Sequence, residues 1–285
     1  MIDLLQHDFV QNAFIAGTIV AVVAAIVGYF VVLRAQAFAA HALSHIGFAG
    51  ATGAAIIGLS ALTGMIGLTV LAAIGIGILG ERIRGRDVEI GMVLTFALGL
   101  GVLFLHIYTS SATEAVGVLF GSILSVTHND VLVTLFCALA VVSALAFLYR
   151  PLLFASIDPE VAQARGVPVR LLGILFMIVL AITVAEAVQV VGILLDFALL
   201  VAPAATAQHL TTKPHVGILL SILLGLAFTW GGLILAFVGH APVSFYIASL
   251  SSLSYLFAVN LAHLRSPHHV RIPPHPDREN RLAEK

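Results

Sequence analysis

The chain has 285 residues, of which 60% are hydrophobic and only 9% charged, with a formal net charge of −1 and a mean hydropathy of +1.11. Such a composition excludes an ordinary water-soluble domain and predicts a chain whose solvent is mostly lipid. The near-neutral charge and the scarcity of Lys and Arg leave no basis for a nucleic-acid partner.

Hydrophobic runs bounded by charge or turn residues predict spans near 13–33, 37–57, 63–80, 88–106, 131–149, 170–189, 191–209, 216–238 and 244–264. The fold class expected is all-α, a polytopic bundle of nine membrane helices with eight as the close alternative, filling residues 1–265. Residues 35–80 contain no Lys, Arg, Asp or Glu and are too long for one crossing. They are expected to fold back at Gly58-Leu-Ser-Ala-Leu-Thr-Gly64. Residues 190–210 are the ambiguous stretch, since Gly192 and Pro203 interrupt it and allow a re-entrant or partial helix.

Every Lys and Arg in this arrangement falls on one side: Arg34, Arg82, Arg84, Arg86, Arg150, Arg165, Arg170, Lys213, Arg265 and the tail. The positive-inside rule makes that side cytoplasmic, so the C-terminus is expected inside and the N-terminus outside. The first span is too long for a cleaved signal peptide and lacks a basic leader, so it is expected to remain. Cys137 has no second cysteine to pair with and reads as packing. Residues 266–285, rich in Pro, Arg and His, read as a disordered cytoplasmic extension. His263, His268, His269 and His275 there read as solvated. Gly64, Gly67, Gly75, Gly77, Gly99 and Gly101 read as small residues that let helices approach closely.

Within the spans the ionisable groups are His41, His45, Glu186 and Asp196, with Glu89 and His106 near enough to the interfaces to snorkel. Burying such groups in hydrocarbon costs several kcal/mol, about 2.5–3.5 even on the lenient scales for a full charge, so each is a functional candidate. His41 and His45 stand four apart, which puts both imidazoles on one helical face, as two nitrogens sharing a metal require. The bland alternative is a neutral pair, each hydrogen-bonded to a neighbouring carbonyl. Asp196 is the natural carboxylate partner, because a divalent cation offsets the cost of burying its charge. For Glu186, with Gln189 nearby, a wetted position at the outer surface is expected, with attraction of cations at the mouth as the alternative.

The loop from Phe154 to Pro168 encodes a short helix over about 157–166. Asp158 suits an N-cap, Pro159 the first helical position and Glu160 the positive end of the dipole; Arg165 lies in the last turn, and Gly166 can terminate the helix. A helix this short and well capped, on the cytoplasmic side, reads as a docking element. No Gly-x-x-x-x-Gly-Lys-Ser/Thr loop occurs, so ATP, if used, is handled by another subunit.

Three segments resemble one family, the permease subunits of bacterial zinc, manganese and iron ABC transporters. Arg34 to Gly50, with Ala42-Leu-Ser-His45, is similar to its Asp-Ala-Leu-Ser-His segment. Asp158 to Val167 resembles its coupling helix, and residues 190–210 resemble its Val-Val-Gly...Pro-Ala-Ala-Thr-Ala helix. Leu119 to Leu124 is a weaker fourth match. The resemblance implies a type II importer-like permease in the bacterial inner membrane. It implies a homodimer, two ABC ATPase subunits docked on the 158–166 helix, an extracytoplasmic binding protein that delivers the ion, and lipid around the whole. It also implies that His45 and the residue four before it line the ion path. Here the chain departs from the commonest pattern, carrying His41 in place of aspartate, with Asp196 as a possible replacement.

No permanently bound cofactor is expected, the metal being cargo. Two imidazoles and a carboxylate would make an ordinary zinc set, so zinc is expected ahead of manganese. The competing class is a proton-coupled secondary metal carrier, with the histidines, Glu186 and Asp196 as a relay. An intramembrane metalloprotease is weaker, since no Glu follows the first histidine to act as base.

Overall fold

In the computed structural model, residues 8–79, 86–107, 123–239 and 241–265 are described. Arg82, Arg84, Leu119 to Ser122, His240 and the tail from 266 lie outside them. The described residues are helical with short connections: α1 (Asp8–Leu33), α2 (Ala37–Ile56), α3 (Ala61–Leu79), α4 (Arg86–Ile107), α5 (His128–Ile157), α6 (Pro159–Ala164), α7 (Val169–Val191), α8 (Ile193–Leu210), α9 (Pro214–Val238) and α10 (Val243–Arg265), with a 3-10 turn at Ile123–Ser125. Each predicted span has its helix. Eight of them are long and apolar enough to cross a membrane. The ninth, α2, has 20 residues and carries the histidine pair, which lowers its hydropathy.

Helices apolar on all sides must be enclosed by protein or lipid, and both occur. In α1 and α7, 67% of the spanning stretch is buried inside the molecule, against 17% in α4 and α10. The core therefore runs along α1 and α7. Phe30 of α1 joins it near the end of that helix, its ring 6.0 Å from that of Tyr149 on α5 and 6.2 Å from that of Phe176 on α7. Outward faces carry large apolar side chains such as Phe147, Phe96 and Phe257, the inverse of a water-facing surface.

Close helix crossings depend on glycine at particular places. A Cβ on Gly28 would collide with the carbonyl oxygen of Leu200, and one on Gly50 with that of Gly64. These fix α1 against α8 and α2 against α3. Of the glycines expected to pack, Gly64, Gly77 and Gly101 do so, whereas Gly67, Gly75 and Gly99 face open space.

Two segments differ from the sequence expectation in length. α5 continues through Pro151 to Ile157, two turns past the predicted end, so its last residue directly precedes Asp158, the N-cap of α6. α8 is one continuous helix through Pro203. The interruption is confined to Gly192, whose φ of 84° suits glycine and separates α7 from α8.

The corner between α1 and α2 is tied to the same end of the bundle as α6. A guanidinium N–H of Arg34 donates to Ser156 Oγ at 3.2 Å, and the guanidinium carbon lies 5.6 Å from the Phe176 ring centre. Chain direction then places the ends of α2, α4 and α7 and the starts of α3, α5 and α8 at the opposite end.

Candidate metal path

α2 begins after Gln36 and runs through a setting of small, buried side chains: Ala39, Ala40, Ala42, Leu43, Ala49 and Gly50. This face brings neighbouring helices close, and it leaves the two imidazoles as the polar stripe on a partly open side. Both rings are half-buried. Their centroids lie 4.7 Å apart with planes at 84°. The Nδ1 atoms of both are buried and have no hydrogen-bond partner among the described residues. A neutral pair bonded to carbonyls through Nδ1 is therefore not what forms. A buried polar atom left unpaired costs about 1–3 kcal/mol, and a metal ion or water is the usual way such a cost is met.

Two residues that the sequence did not single out complete this place. Phe197 of α8 packs edge-on against His41, centroids 5.1 Å apart. It also forms one wall of a groove of about 470 Å³ between α8 and α10, together with Val201, Ala205, Ser251 and Tyr255. Ser44, the residue between Leu43 and His45, donates a 2.6 Å hydrogen bond to Asp196 Oδ2. Nothing in the local sequence marks either one, because each acquires its role from a helix more than 150 residues away.

Asp196 is fully buried, with 0% exposure. Its Oδ1 is unpartnered while its Oδ2 is held by Ser44. Among the described residues no three His, Cys, Asp or Glu side chains converge to hold a metal. Asp196 thus supports the helix that carries the histidines, at a position one residue around it, and does not complete a three-ligand set with them in this arrangement. Glu186 departs further from expectation. It is not a wetted surface group: it is only 3% exposed, at the far end of α7 from α6, away from α2's histidines in sequence and on a helix packed between α3 and α5. Helix α7 turns it inward because α3 and α5 flank it there.

The short capped helix forms as the local signals predict, slightly shorter. α6 spans Pro159–Ala164. Asp158 caps it, its side chain accepting from the Val161 N–H at 3.0 Å, and Pro159 occupies the first helical position. Gly166 adopts a φ of 81° and closes the turn, its N–H donating to the Gln163 carbonyl at 3.0 Å. Only Ala162 is buried; Pro159, Glu160, Val161 and Arg165 are exposed. The result is a short, rigid knob anchored at one point.

Known proteins are similar to this chain over most of its length. The sequence profile of the ABC 3 transport family matches residues 6–262. The manganese transport system membrane protein MntC of Halalkalibacterium halodurans is 31% identical over 261 residues, 90% of this chain and 89% of that protein. The manganese import system permease protein ScaB of Streptococcus parasanguinis is 34% identical over 260 residues, 91% and 92% of the two chains. Among solved structures, a chain of PsaBC from Streptococcus pneumoniae, determined in complex with a Fab, superposes with a TM-score of 0.82 at 31% identity, over 90% of this chain and 93% of that one.

Proposed function

This chain belongs to the ABC 3 transport family, and we propose that, within it, His41 and His45 line the route by which a divalent transition metal crosses the membrane. The observation that carries this reading is the pair of adjacent imidazoles whose buried Nδ1 atoms lack partners. Imidazole nitrogens in that state are ready ligands that need not first give up a protein hydrogen bond.

The chain works as a permease subunit, and the power stroke comes from elsewhere. Without a phosphate loop of its own, it depends on ABC ATPase subunits, for which α6 is the docking knob. An extracytoplasmic binding protein supplies the ion at the opposite end. Two copies of the chain, embedded in inner-membrane lipid with the C-terminus in the cytoplasm, enclose the path. ATP binding and hydrolysis displace α6, and the paired bundles alternate between outward and inward openings around the histidines. Family membership favours this over a proton-coupled carrier, which would have no use for an exposed, capped α6.

Manganese is the cargo we favour. The names of the relatives, a manganese transport system membrane protein and a manganese import system permease protein, speak for it. Affinity order alone does not decide cargo, because most such sites bind zinc more tightly than manganese whatever they carry.

Uptake of radiolabelled manganese and zinc in cells expressing the intact transporter tests both points. His41→Ala and His45→Ala at matched expression are expected to lower manganese uptake by at least about tenfold, the low end for disturbing a metal's ligand environment. Zinc uptake lost in the same variants, with manganese uptake intact, would reverse the cargo; unchanged uptake of both would remove the histidines from the path.

A further inference from the structure

A small polar cavity lies at the end of the bundle remote from α6, built by α5 and α7 and separate from the histidines of α2. Glu186 is 3% exposed, yet neither of its carboxylate oxygens has a hydrogen-bond partner among the described residues. Gln189, one turn further along α7, likewise has a buried, unpartnered Oε1. At a spacing of three the two side chains share a helical face. Both border a cavity of about 10 Å³ whose remaining walls are Asp130, Val133 and Thr134 of α5 and Leu62 of α3. Asp130 and Thr134 are four apart, so α5 also offers one polar face.

Three features of this place point to its occupant. Its volume is that of roughly one water-sized particle. Its three orphaned atoms are all acceptors, which only a cation or a hydrogen-bond donor satisfies. The side chains around it supply carboxylate, amide and hydroxyl oxygens, with no imidazole or thiolate among the cavity's walls. Hard divalent ions such as Mn²⁺ and Ca²⁺ take oxygen sets of this kind, completed by water, whereas zinc prefers nitrogen and sulfur. A nearby divalent ion also removes the cost of holding an ionised carboxylate among apolar side chains.

We propose that Glu186 and Gln189 of α7, with Asp130 and Thr134 of α5, form an oxygen-only site for a single hard divalent cation. Two carboxylates balance its charge, Asp130 through Oδ1 because its Oδ2 accepts from the Thr127 N–H and hydroxyl, and the amide and hydroxyl oxygens extend the set. On the reading that the chain imports its ion, the site lies at the end of the bundle from which the ion arrives.

The test counts Mn²⁺ bound to the full-length chain in lipid nanodiscs, from the paramagnetic resonance signal of the free ion, in a His41→Ala, His45→Ala background. This background isolates the second site from the histidine path, so the outcome is independent of whether those residues carry metal in uptake. One Mn²⁺ per chain is expected, displaced by Ca²⁺ more readily than by Zn²⁺. Adding Glu186→Gln, which is nearly isosteric, should weaken binding by about tenfold or more. Gln189→Leu, which removes a neutral group, should weaken it by a smaller factor and serves if the Glu186 variant does not fold. Absence of Mn²⁺ binding in the background chain, or binding unchanged by both substitutions, would overturn the site and leave the cavity to water.

Discussion

Ser44 of α2 and Asp196 of α8, 152 residues apart, are joined by a 2.6 Å hydrogen bond in which both partners are buried. Ser44 directly precedes His45, so the bond holds α2 about 100° around from the imidazole stripe. Asp196 therefore fixes the rotation of the histidine helix. Phe197, its neighbour, closes against His41, so adjacent residues of α8 set both the orientation and the packing of the pair.

Removal of that bond should be felt as stability. Ser44→Ala leaves Asp196 with neither oxygen paired, and a buried polar group left unsatisfied costs about 1–3 kcal/mol. Asp196→Asn, which keeps an acceptor for the Ser44 hydroxyl, should cost less. Thermal unfolding of the purified chain in detergent measures both, and equal midpoints for wild type and Ser44→Ala would show that the bond contributes nothing.

Acid should weaken transport. An imidazole binds metal only when neutral, and its ordinary pKa is about 6.5. Protons compete increasingly with the ion as pH falls through that region and scarcely at all above neutrality. Manganese uptake by the reconstituted complex is thus expected to fall from pH 7.5 to 5.5 while the ATPase subunits remain active. A flat profile would argue against direct ligation by His41 and His45.

Glycines divide into those that packing requires and those it does not. Gly28→Ala sets a methyl group against the Leu200 carbonyl, and overpacking of this kind costs about 1–3 kcal/mol. Gly67→Ala meets nothing within 4 Å and lies inside a helix, where alanine is favoured by about 1 kcal/mol. The first should lower the unfolding temperature and the second leave it unchanged or raise it. The reverse order would contradict the α1–α8 crossing.

The docking knob offers a test that separates the cap from the charge. Asp158→Ala removes the acceptor for the Val161 N–H at a cost of about 0.5–2 kcal/mol, and α6 should fray. Asp158→Asn preserves the cap. The amount of ATPase retained on the tagged chain through purification should drop for the alanine variant and hold for the asparagine one. Equal loss in both would mean that the carboxylate charge, not the helix, is what the ATPase reads.

Features written in neighbouring residues were legible from the sequence. Asp158, Pro159 and Gly166 encode α6 because capping and a left-handed turn act within a few residues. His41 and His45 share a face because 3.6 residues make a turn wherever the helix lies. The spans followed from hydrocarbon thickness. Other features were not legible. Glu186 reads as a wetted end-of-helix group until α3 and α5 are seen to flank α7, and the bond of Asp196 to Ser44 joins residues 152 apart that no local pattern links.

The sequence alone thus determined that the chain crosses the membrane many times, that two imidazoles share one helical face and that a short capped helix follows Asp158, since each follows from local periodicity and the cost of charge in lipid. The tertiary structure decided which buried carboxylate meets which helix. A helix that is apolar on nearly every side carries little information about its own rotation, and only close packing at contacts such as Gly28 with Leu200 and Gly50 with Gly64 sets it.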